Sequence, residues 1–285
     1  MTNVILITGC SSGLGISIAV QAAQTGHTVY ATMRNLSKRA ALDAAISDAG
    51  LSVNVLELDV QDSATIVSAV DAIIAKEGRI DTLINNAGAG YVRSTEQALE
   101  EDISWVMDVN FMGVVRCTKA VMPYMRKARA GHVITIGSVG GLVGQPFNEI
   151  YCGAKFGVEG YMEAMASYIT PSFGIHFTTV EPGGIVSEFA NSALKQIEAS
   201  GGMLDDEYTP ILQAYIGGAT SRQTGDVYQT ADEVASVVMD VLGAENPPVR
   251  CRTSNWGEDL CQLKTGLDPD GKKLHAKIVE QFLGQ

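Results

Sequence analysis

NVILITGCSSGLG, residues 3–15, joins a buried strand pattern to a glycine-rich turn and the start of a helix. Residues 3–8 read as the strand, and the apolar positions Ile16, Ile18 and Ala19 continue with helical spacing. This order brings backbone N–H groups and the positive end of a helix dipole to a place where a pyrophosphate can bind. The glycine spacing departs from Gly-x-Gly-x-x-Gly, so a plain tight turn is the alternative. We predict a dinucleotide site at Gly9, Ser11, Ser12, Gly13, Leu14 and Gly15.

The rest of the chain alternates strand patterns with helical patterns. Further strands are predicted at 27–32, 53–58, 80–84, 132–136, 175–180 and 248–252. Helices are predicted at 63–76, 102–125 and 150–169. Repeated strand-helix units place parallel strands in one sheet with helices on both of its faces. The sequence therefore predicts an α/β fold, a Rossmann-type doubly wound parallel sheet of seven strands, in a single domain over 1–285.

Segment 185–230 departs from this alternation. It contains no strand pattern and is too long for an ordinary connection in a compact domain, so we predict a lid or binding insertion. Its apolar members could clamp an apolar substrate or could pack the lid on the body, and the sequence leaves both open. They are Phe189, Met203, Leu204, Tyr208, Ile211, Leu212, Tyr215 and Ile216.

Composition restricts the class of protein. Of 285 residues, 46% are hydrophobic, 18% are charged and 30 are glycines, a mixture that suits a buried parallel sheet and excludes a mainly disordered chain. No apolar run reaches the ~18 residues of a membrane span. Met1 leads directly into the first strand pattern without a signal segment. We expect a soluble, cytoplasmic protein without a membrane partner.

Charge and side-chain chemistry favour a small-molecule substrate. The five cysteines are scattered and the four histidines have no metal-ligand spacing, so neither a disulfide framework nor a metal site is predicted. A net charge of −12 disfavours nucleic acid and anionic membrane surfaces.

A basic island follows the second predicted strand. It consists of Arg34, Lys38 and Arg39, with no acidic residue before Asp43. Dinucleotide folds that select NAD place a carboxylate near this strand end, whereas a cation suits the 2′-phosphate of NADP. We therefore predict NADP(H) rather than NAD(H), with Arg34 at the phosphate. Ordinary solvated charges at a helix start are the alternative.

Polar and small residues stand at two further strand ends. Asp59, followed by Val60, ends the third strand and is placed to accept a hydrogen bond from the adenine amine. The fourth strand closes with Asn85, Asn86, Ala87 and Gly88. These residues fit a ligand that lies across the carboxyl edge of the sheet. The two asparagines fit equally well as turn residues that bond to their own backbone.

A proton-transfer pair is predicted in the helix over 150–169. Tyr151 and Lys155 share one face of that helix, one turn apart. An adjacent cation favours the phenolate and should bring the pKa of the phenol from ~10 toward the working range. Ser138 ends the preceding strand. Asn110 sits mid-helix between apolar neighbours, where an unpaired buried amide is costly, so we predict a polar role for it.

In this order and spacing the motifs resemble those of the short-chain dehydrogenase/reductase family, in its single-domain branch. The resemblance covers roughly residues 3–190 and is greatest to the hydroxysteroid and retinol dehydrogenase-like members, through segments 30–34 and 180–187. Its elements are Thr8-Gly9-x-x-x-Gly13-x-Gly15, Asp59, Asn85-Asn86-Ala87-Gly88, Asn110, Ser138, Tyr151-x-x-x-Lys155 and Pro182-Gly183.

The resemblance implies roles for these residues. Tyr151 would give the proton to a carbonyl oxygen, or remove it from an alcohol, while hydride moves to or from the nicotinamide. Lys155 would lower the pKa of the phenol and hold the nicotinamide ribose, Ser138 would bond to the substrate oxygen, and Asn110 would position a water that links Lys155 to solvent. Pro182, Gly183 and Ile185 would bind the cofactor, and its nicotinamide carboxamide would bind Ser187, a serine where threonine is more usual.

The predicted function is an NADP(H)-dependent carbonyl reductase or alcohol dehydrogenase that acts on a fairly apolar small molecule. The resemblance also implies a homo-oligomer, either a dimer or a tetramer. An NAD-dependent alcohol dehydrogenase that works oxidatively is the nearest alternative. A dinucleotide-sensing protein that kept the fold without the chemistry is the alternative from another class.

Overall fold

The computed structural model describes residues 2–186, 198, 202, 204–224 and 227–283. Its strands are β1 Val4–Ile7, β2 Thr28–Met33, β3 Asn54–Glu57, β4 Thr82–Asn85, β5 Gly131–Ile136, β6 Ile175–Glu181, β7 Ile185–Val186, β8 Gln229–Thr230 and β9 Arg250–Arg252. Its α-helices are α1 Gly13–Gln24, α2 Ala40–Asp48, α3 Ser63–Glu77, α4 Glu100–Met107, α5 Gly113–Ala128, α6 Glu149–Phe173, α7 Thr209–Thr224, α8 Ala231–Gly243, α9 Asn255–Thr265 and α10 Lys272–Leu283.

Seven parallel strands form the main sheet, in the order β3-β2-β1-β4-β5-β6-β9. The predicted doubly wound α/β fold is therefore confirmed, and the strand ends lie within two residues of the predicted ones. The chain runs outward from β1 in one direction and from β4 in the other. A switch point of this kind opens a crevice at the carboxyl ends of the strands, where ligands bind in such sheets.

Helices cover both faces of the sheet because both faces are apolar. In β1, Val4 and Leu6 enter one hydrophobic cluster, which α3, α5 and α6 complete. Ile5 and Ile7 point to the opposite face and enter a second cluster with α1, α2 and α8. Successive side chains of a strand alternate between faces, so a continuous apolar run predicts a strand buried on both sides.

The prediction that segment 185–230 contains no strand was wrong. Its two ends pair in parallel as β7 and β8, with Ile185 opposite Gln229 and Val186 opposite Thr230. Each strand has only two residues, too few to show the alternation on which a strand prediction rests. The described residues between them include helix α7.

The helix predicted over 102–125 is longer and is interrupted by one wider turn. Helices α4 and α5 are joined by a π-helical turn at Asp108–Met112, which holds Asn110. Such turns often occur at functional sites. Within the described part of the chain, no helix has both the length and the apolar character that crossing a membrane requires. The same residues contain no group of three or more His, Cys, Asp or Glu side chains that could hold a metal ion.

Candidate active site

The glycine-rich turn is held against the end of β4. Thr8 Oγ1 accepts hydrogen bonds from the backbone N–H groups of Asn86 and Ala87, both at 3.0 Å. The Asn86 amide donates back to the carbonyls of Thr8 and Gly9, at 2.8 and 3.1 Å. A Cβ on Gly9, whose φ is +76°, would lie 2.8 Å from Ala87 Cα, and one on Gly15 would lie 2.4 Å from the Gly9 carbonyl oxygen. Only glycine fits these two positions.

Helix α1 begins at this turn. Ser12 is its N-cap residue, yet its hydroxyl makes no capping hydrogen bond. The first N–H groups of a helix have no partner within the helix, and together with the helix dipole they form an anion site. Ser11, Ser12 and Gly13 keep some exposure, whereas the side chain of Leu14 belongs to the core. The first turn of α1 can therefore offer N–H donors at the place where the sequence predicts the pyrophosphate.

The basic island contains two uncompensated cations. Arg34 directly follows β2 and is exposed, as is Lys38. Arg39 instead pairs with Asp43, with 2.7 Å between Nε and Oδ2. Among the residues that the structure describes, no acidic side chain pairs with Arg34 or Lys38. An anion at the end of β2 would meet an unpaired guanidinium.

The other predicted adenine-side residues lie at the ends of β3 and β4. Asp59 is partly exposed, and its Oδ1 accepts a hydrogen bond from the Gln61 backbone N–H at 3.0 Å. Val60 is 8% exposed. Asn85 differs from its neighbour Asn86, because its buried amide donates to Thr118 and Thr135 hydroxyls at 3.3 Å. That contact is structural and points away from cofactor binding.

Asn110 is fully buried and joins two segments of the site. Its Nδ2 donates to the carbonyls of Ala89 and Val106, at 2.9 and 3.0 Å, and its Oδ1 accepts from the Ala89 N–H at 3.0 Å. Gly88 separates it from Lys155: a Cβ there would lie 3.0 Å from Asn110 Oδ1 and 3.9 Å from Lys155 Nζ. Both amide hydrogens are committed to the protein, so a water could bind the side chain only through Oδ1.

Ser138, Tyr151 and Lys155 converge at the carboxyl edge of the sheet. Ser138 follows β5 and caps a short 3₁₀ turn, where its Oγ accepts from the Gly140 N–H at 2.9 Å. Tyr151 and Ser138 share a side-chain hydrogen bond. Lys155 Nζ lies 5.8 Å from the centre of the Tyr151 ring and donates to the Ile136 carbonyl at 2.8 Å.

Burial is the main cause of the shifted pKa values of Tyr151 and Lys155. It raises the pKa of Tyr151 to about 12, and the hydrogen bond with Ser138 only partly opposes this rise. It lowers the pKa of Lys155 to about 8, against the attraction of the Glu159 carboxylate. Contrary to the expectation from the sequence, Lys155 therefore does not bring the pKa of the phenol toward neutral pH in this structure. Desolvation outweighs the cation, which lies over the ring and donates elsewhere.

The end of β6 continues the site. The Pro182 carbonyl accepts from the Val139 N–H at 3.0 Å, which ties the Ser138 turn to this segment. A Cβ on Gly183 would lie 2.8 Å from the Trp256 ring, so the glycine allows close packing. Ile185 begins β7. Ser187, the predicted partner of the carboxamide, lies outside the described residues.

Helix α7 of the predicted lid packs beside Tyr151. The Tyr215 hydroxyl accepts from the Asn148 amide at 2.8 Å, and its ring lies 6.2 Å from that of Phe147. Tyr208 makes an edge contact with the same Phe147 ring, at 6.4 Å. These aromatic members of the segment pack on the body, whereas Leu204 and Ile211 are exposed. Phe189 and Met203 lie outside the described residues.

Sequence reasoning missed the buried carboxyls beside this site. Glu159 and Glu181 are 6% and 0% exposed, and Arg252 from β9 contacts the latter. The available signal was the position of Glu159, four residues after Lys155 between apolar residues of α6. The bridging hydroxyl of Thr8 was also missed, because a threonine after a strand is common.

Comparison with known proteins identifies the fold and family. The model of the family described as short chain dehydrogenase matches residues 3–198. Retinol dehydrogenase 8 of Bos taurus is 37% identical over 94% of this chain and 86% of its own. 17-beta-hydroxysteroid dehydrogenase type 1 of Homo sapiens is 36% identical over 99% of this chain and 86% of its own. The crystal structure of an actinorhodin polyketide ketoreductase with NADPH superposes with a TM-score of 0.73 at 27% identity, over 85% of this chain and 90% of that one.

Proposed function

The chain belongs to the short-chain dehydrogenase family of oxidoreductases, and from this premise we propose that it interconverts a carbonyl compound and an alcohol with NADP(H). The observation that carries the proposal is the convergence of Ser138, Tyr151 and Lys155 at the carboxyl edge of the sheet. A protein that only binds a dinucleotide needs the glycine turn but has no use for a hydrogen-bonded phenol above a buried lysine.

The residues present fit a dinucleotide. A Cβ would fill the cradle at Gly9 and Gly15, and the first turn of α1 offers free N–H groups beside it. We assign the cofactor to the following residues: Gly9, Ser11, Ser12, Gly13, Leu14, Gly15, Arg34, Asp59, Val60, Asn86, Ala87, Gly88, Tyr151, Lys155, Pro182, Gly183, Ile185 and Ser187.

The cofactor supplies or accepts the hydride, and the chain's own residues control the proton and the geometry. Because burial keeps the pKa of Tyr151 at about 12, the phenol is protonated at neutral pH and can give its proton to a carbonyl oxygen. Ser138 hydrogen-bonds the same oxygen, where negative charge develops. Lys155 holds the ribose hydroxyls, and Asn110 fixes the Ala89 segment beside it.

The substrate in this proposal is a fairly apolar small molecule. Apolar and aromatic side chains of the predicted lid support an apolar substrate. On its helix α7, Leu212 is buried and Ile211 is exposed. The matched relatives are named for retinol and for a hydroxysteroid. We also propose one domain over 1–285 with segment 185–230 as its lid, and a homo-oligomer as the working state. The five free thiols support the reducing cytoplasm as its compartment.

Turnover with NADPH tests the proposal directly. We expect loss of NADPH absorbance with at least one member of a panel of apolar ketones and aldehydes. A dinucleotide-sensing protein would bind NADPH and oxidise none of it. An NAD-dependent dehydrogenase would instead reduce NAD⁺ with the matching alcohols and ignore NADPH.

Arg34→Ala is expected to weaken NADPH binding by about tenfold or more and to leave NADH binding unchanged. The variant would lose the charge-assisted hydrogen bond from the Arg34 guanidinium to the 2′-phosphate, which is worth ~1.5–3 kcal/mol. Fluorescence titration of both cofactors measures the two dissociation constants.

Arg39→Ala is the matched control. Arg39 belongs to the same basic island, but Asp43 already neutralises it, so the variant should change neither constant by more than about twofold. Equal weakening of NADPH and NADH in Arg34→Ala would remove the assignment of Arg34 to the phosphate.

A further inference from the structure

Two glutamates face each other behind the Ser138 turn. Glu159 lies on α6 one turn beyond Lys155, and Glu181 is the last residue of β6. Their exposed fractions are 6% and 0%. Burying two carboxylates side by side is prohibitively costly unless their charge is reduced or balanced.

The hydrogen bonding of the pair requires a proton. The two carboxyls lie within hydrogen-bonding reach of each other. Among the described residues, no N–H or O–H group is bonded to either oxygen of Glu159 or to Oε1 of Glu181. Two carboxylates have only acceptors, so they cannot bond to each other. One proton between them gives each carboxyl a partner.

The charged groups around the pair have partners of their own, so a proton on the pair remains favourable. Arg252 is the cation in contact with the pair, with 3.1 Å between its Nη1 and Glu181 Oε2. It also donates to Glu258 at 2.8 Å. Arg250 pairs with Glu163, the next acid along α6, and its charge also acts on Glu159 and Glu181, where it opposes the rise of both pKa values. Lys155 faces the pair from the previous turn and donates to the Ile136 carbonyl. The thiols of Cys251 and Cys261 are neutral, because burial raises their pKa values.

The two glutamates pack directly against the Ser138 turn. A Cβ on Gly137 would lie 2.9 Å from Glu159 Oε1, and Glu159 Cγ lies against Gly141 at the other end of the turn. Gly137 sits between Ile136, whose carbonyl holds Lys155, and Ser138. The carboxyl of Glu159 therefore abuts the backbone that places two members of the catalytic set.

We propose that Glu159 and Glu181 share one proton in the folded protein, and that this bonded pair fixes the turn that carries Ser138. Glu159 is thus a positioning residue that acts through Gly137 and contacts neither substrate nor cofactor. The catalytic half of this inference rests on the proposed function, whereas the shared proton does not.

The electrostatics of the pair agree with this geometry. Burial raises the pKa of Glu181 to about 7, and burial and the neighbouring carboxylate raise that of Glu159 well above its usual range. The pKa of the pair in the folded protein exceeds the ~4.3 of a glutamate in the unfolded chain. At pH values between the two, the folded state therefore binds one proton more than the unfolded state. The stability contributed by that proton is complete below about pH 4 and is lost as the pH rises through about 7 and above.

Glu159→Gln tests the shared proton without any substrate. The neutral amide donates to Glu181 and needs no proton, so folding no longer takes one up. Between about pH 5 and pH 7 the wild type should therefore lose stability with rising pH faster than the variant. The ratio of the wild-type unfolding constant to that of the variant should rise about tenfold for each pH unit. Denaturant unfolding at several pH values measures both slopes. Glu149→Gln, at an exposed glutamate at the start of the same helix, should keep the wild-type slope.

Carbon-13 labelling of the glutamate carboxyls gives an independent reading. The wild type should show a carboxyl signal that titrates at about pH 7 or above, and this signal should disappear in Glu159→Gln and in Glu181→Gln. A wild type whose carboxyl signals all titrate below pH 6, or equal unfolding slopes for wild type and Glu159→Gln, would overturn the shared proton.

Turnover tests the positioning role. Glu159→Ala should lower kcat about tenfold at pH 7 while the NADPH dissociation constant changes less than twofold, and Glu159→Gln should restore kcat to within about threefold of the wild type. Failure of the glutamine variant to rescue would overturn the positioning role. Absence of turnover in the wild type would refute the proposed function and leave the proton measurements decisive on their own.

Discussion

Tyr151→Phe is expected to lower kcat by a factor of ~10² to 10⁴, the range that general acid catalysis contributes. The variant keeps the ring and loses only the hydroxyl, which shares a hydrogen bond with Ser138. Lys155 does not replace the lost hydroxyl, because its ammonium donates to the Ile136 carbonyl. NADPH affinity should change by less than about threefold. Steady-state kinetics and fluorescence titration measure the two quantities.

Tyr168→Phe is the matched control. Tyr168 lies on the same helix but is 45% exposed, and its hydroxyl donates to the Met165 sulfur at 3.5 Å. This variant should have wild-type kinetics. A Tyr151→Phe protein that turns over at the wild-type rate would show that another group transfers the proton, and the mechanism proposed above would fail.

The order of elements could be predicted because it depends on local patterns. The apolar run at Val4–Ile7 is continuous since β1 is buried on both faces, and the glycines after it are required by close backbone contacts. The two-residue strands β7 and β8 have no such pattern. They form because residues 185 and 229, far apart in the chain, meet beside the end of β6, and this contact cannot be derived from either segment alone.

The sequence predicted which residues form the candidate site better than it predicted their pKa values. Tyr151 and Lys155 share a helix, so their proximity follows from their spacing. Whether the phenol becomes more or less acidic depends on how far it is buried, which is a property of the whole fold. For the same reason the Glu159–Glu181 contact was missed, since α6 and β6 bring these residues together only after the sheet has formed.

Lys155→Met is expected to lower kcat by at least about 10² and to weaken NADPH binding about tenfold. Methionine preserves the length of the side chain in the buried site but removes the cation and its hydrogen bond to the Ile136 carbonyl. The phenol would then keep its raised pKa without a positive group nearby to stabilise the phenolate that forms as the proton leaves. The ribose hydroxyls would also lose a charged donor, worth ~1.5–3 kcal/mol.

The same substitution has a distinct pH signature in stability. Burial lowers the pKa of Lys155 to about 8, below the ~10.4 of an unfolded lysine. Between these values the unfolded chain binds more protons, so the stability of the wild type should gain from rising pH, and Lys155→Met should lack this gain. Lys119→Met, an exposed lysine on α5, should retain both the gain and full activity. Wild-type kcat in Lys155→Met, or an unchanged pH slope of its unfolding free energy, would contradict the assignment of a buried catalytic ammonium to this residue.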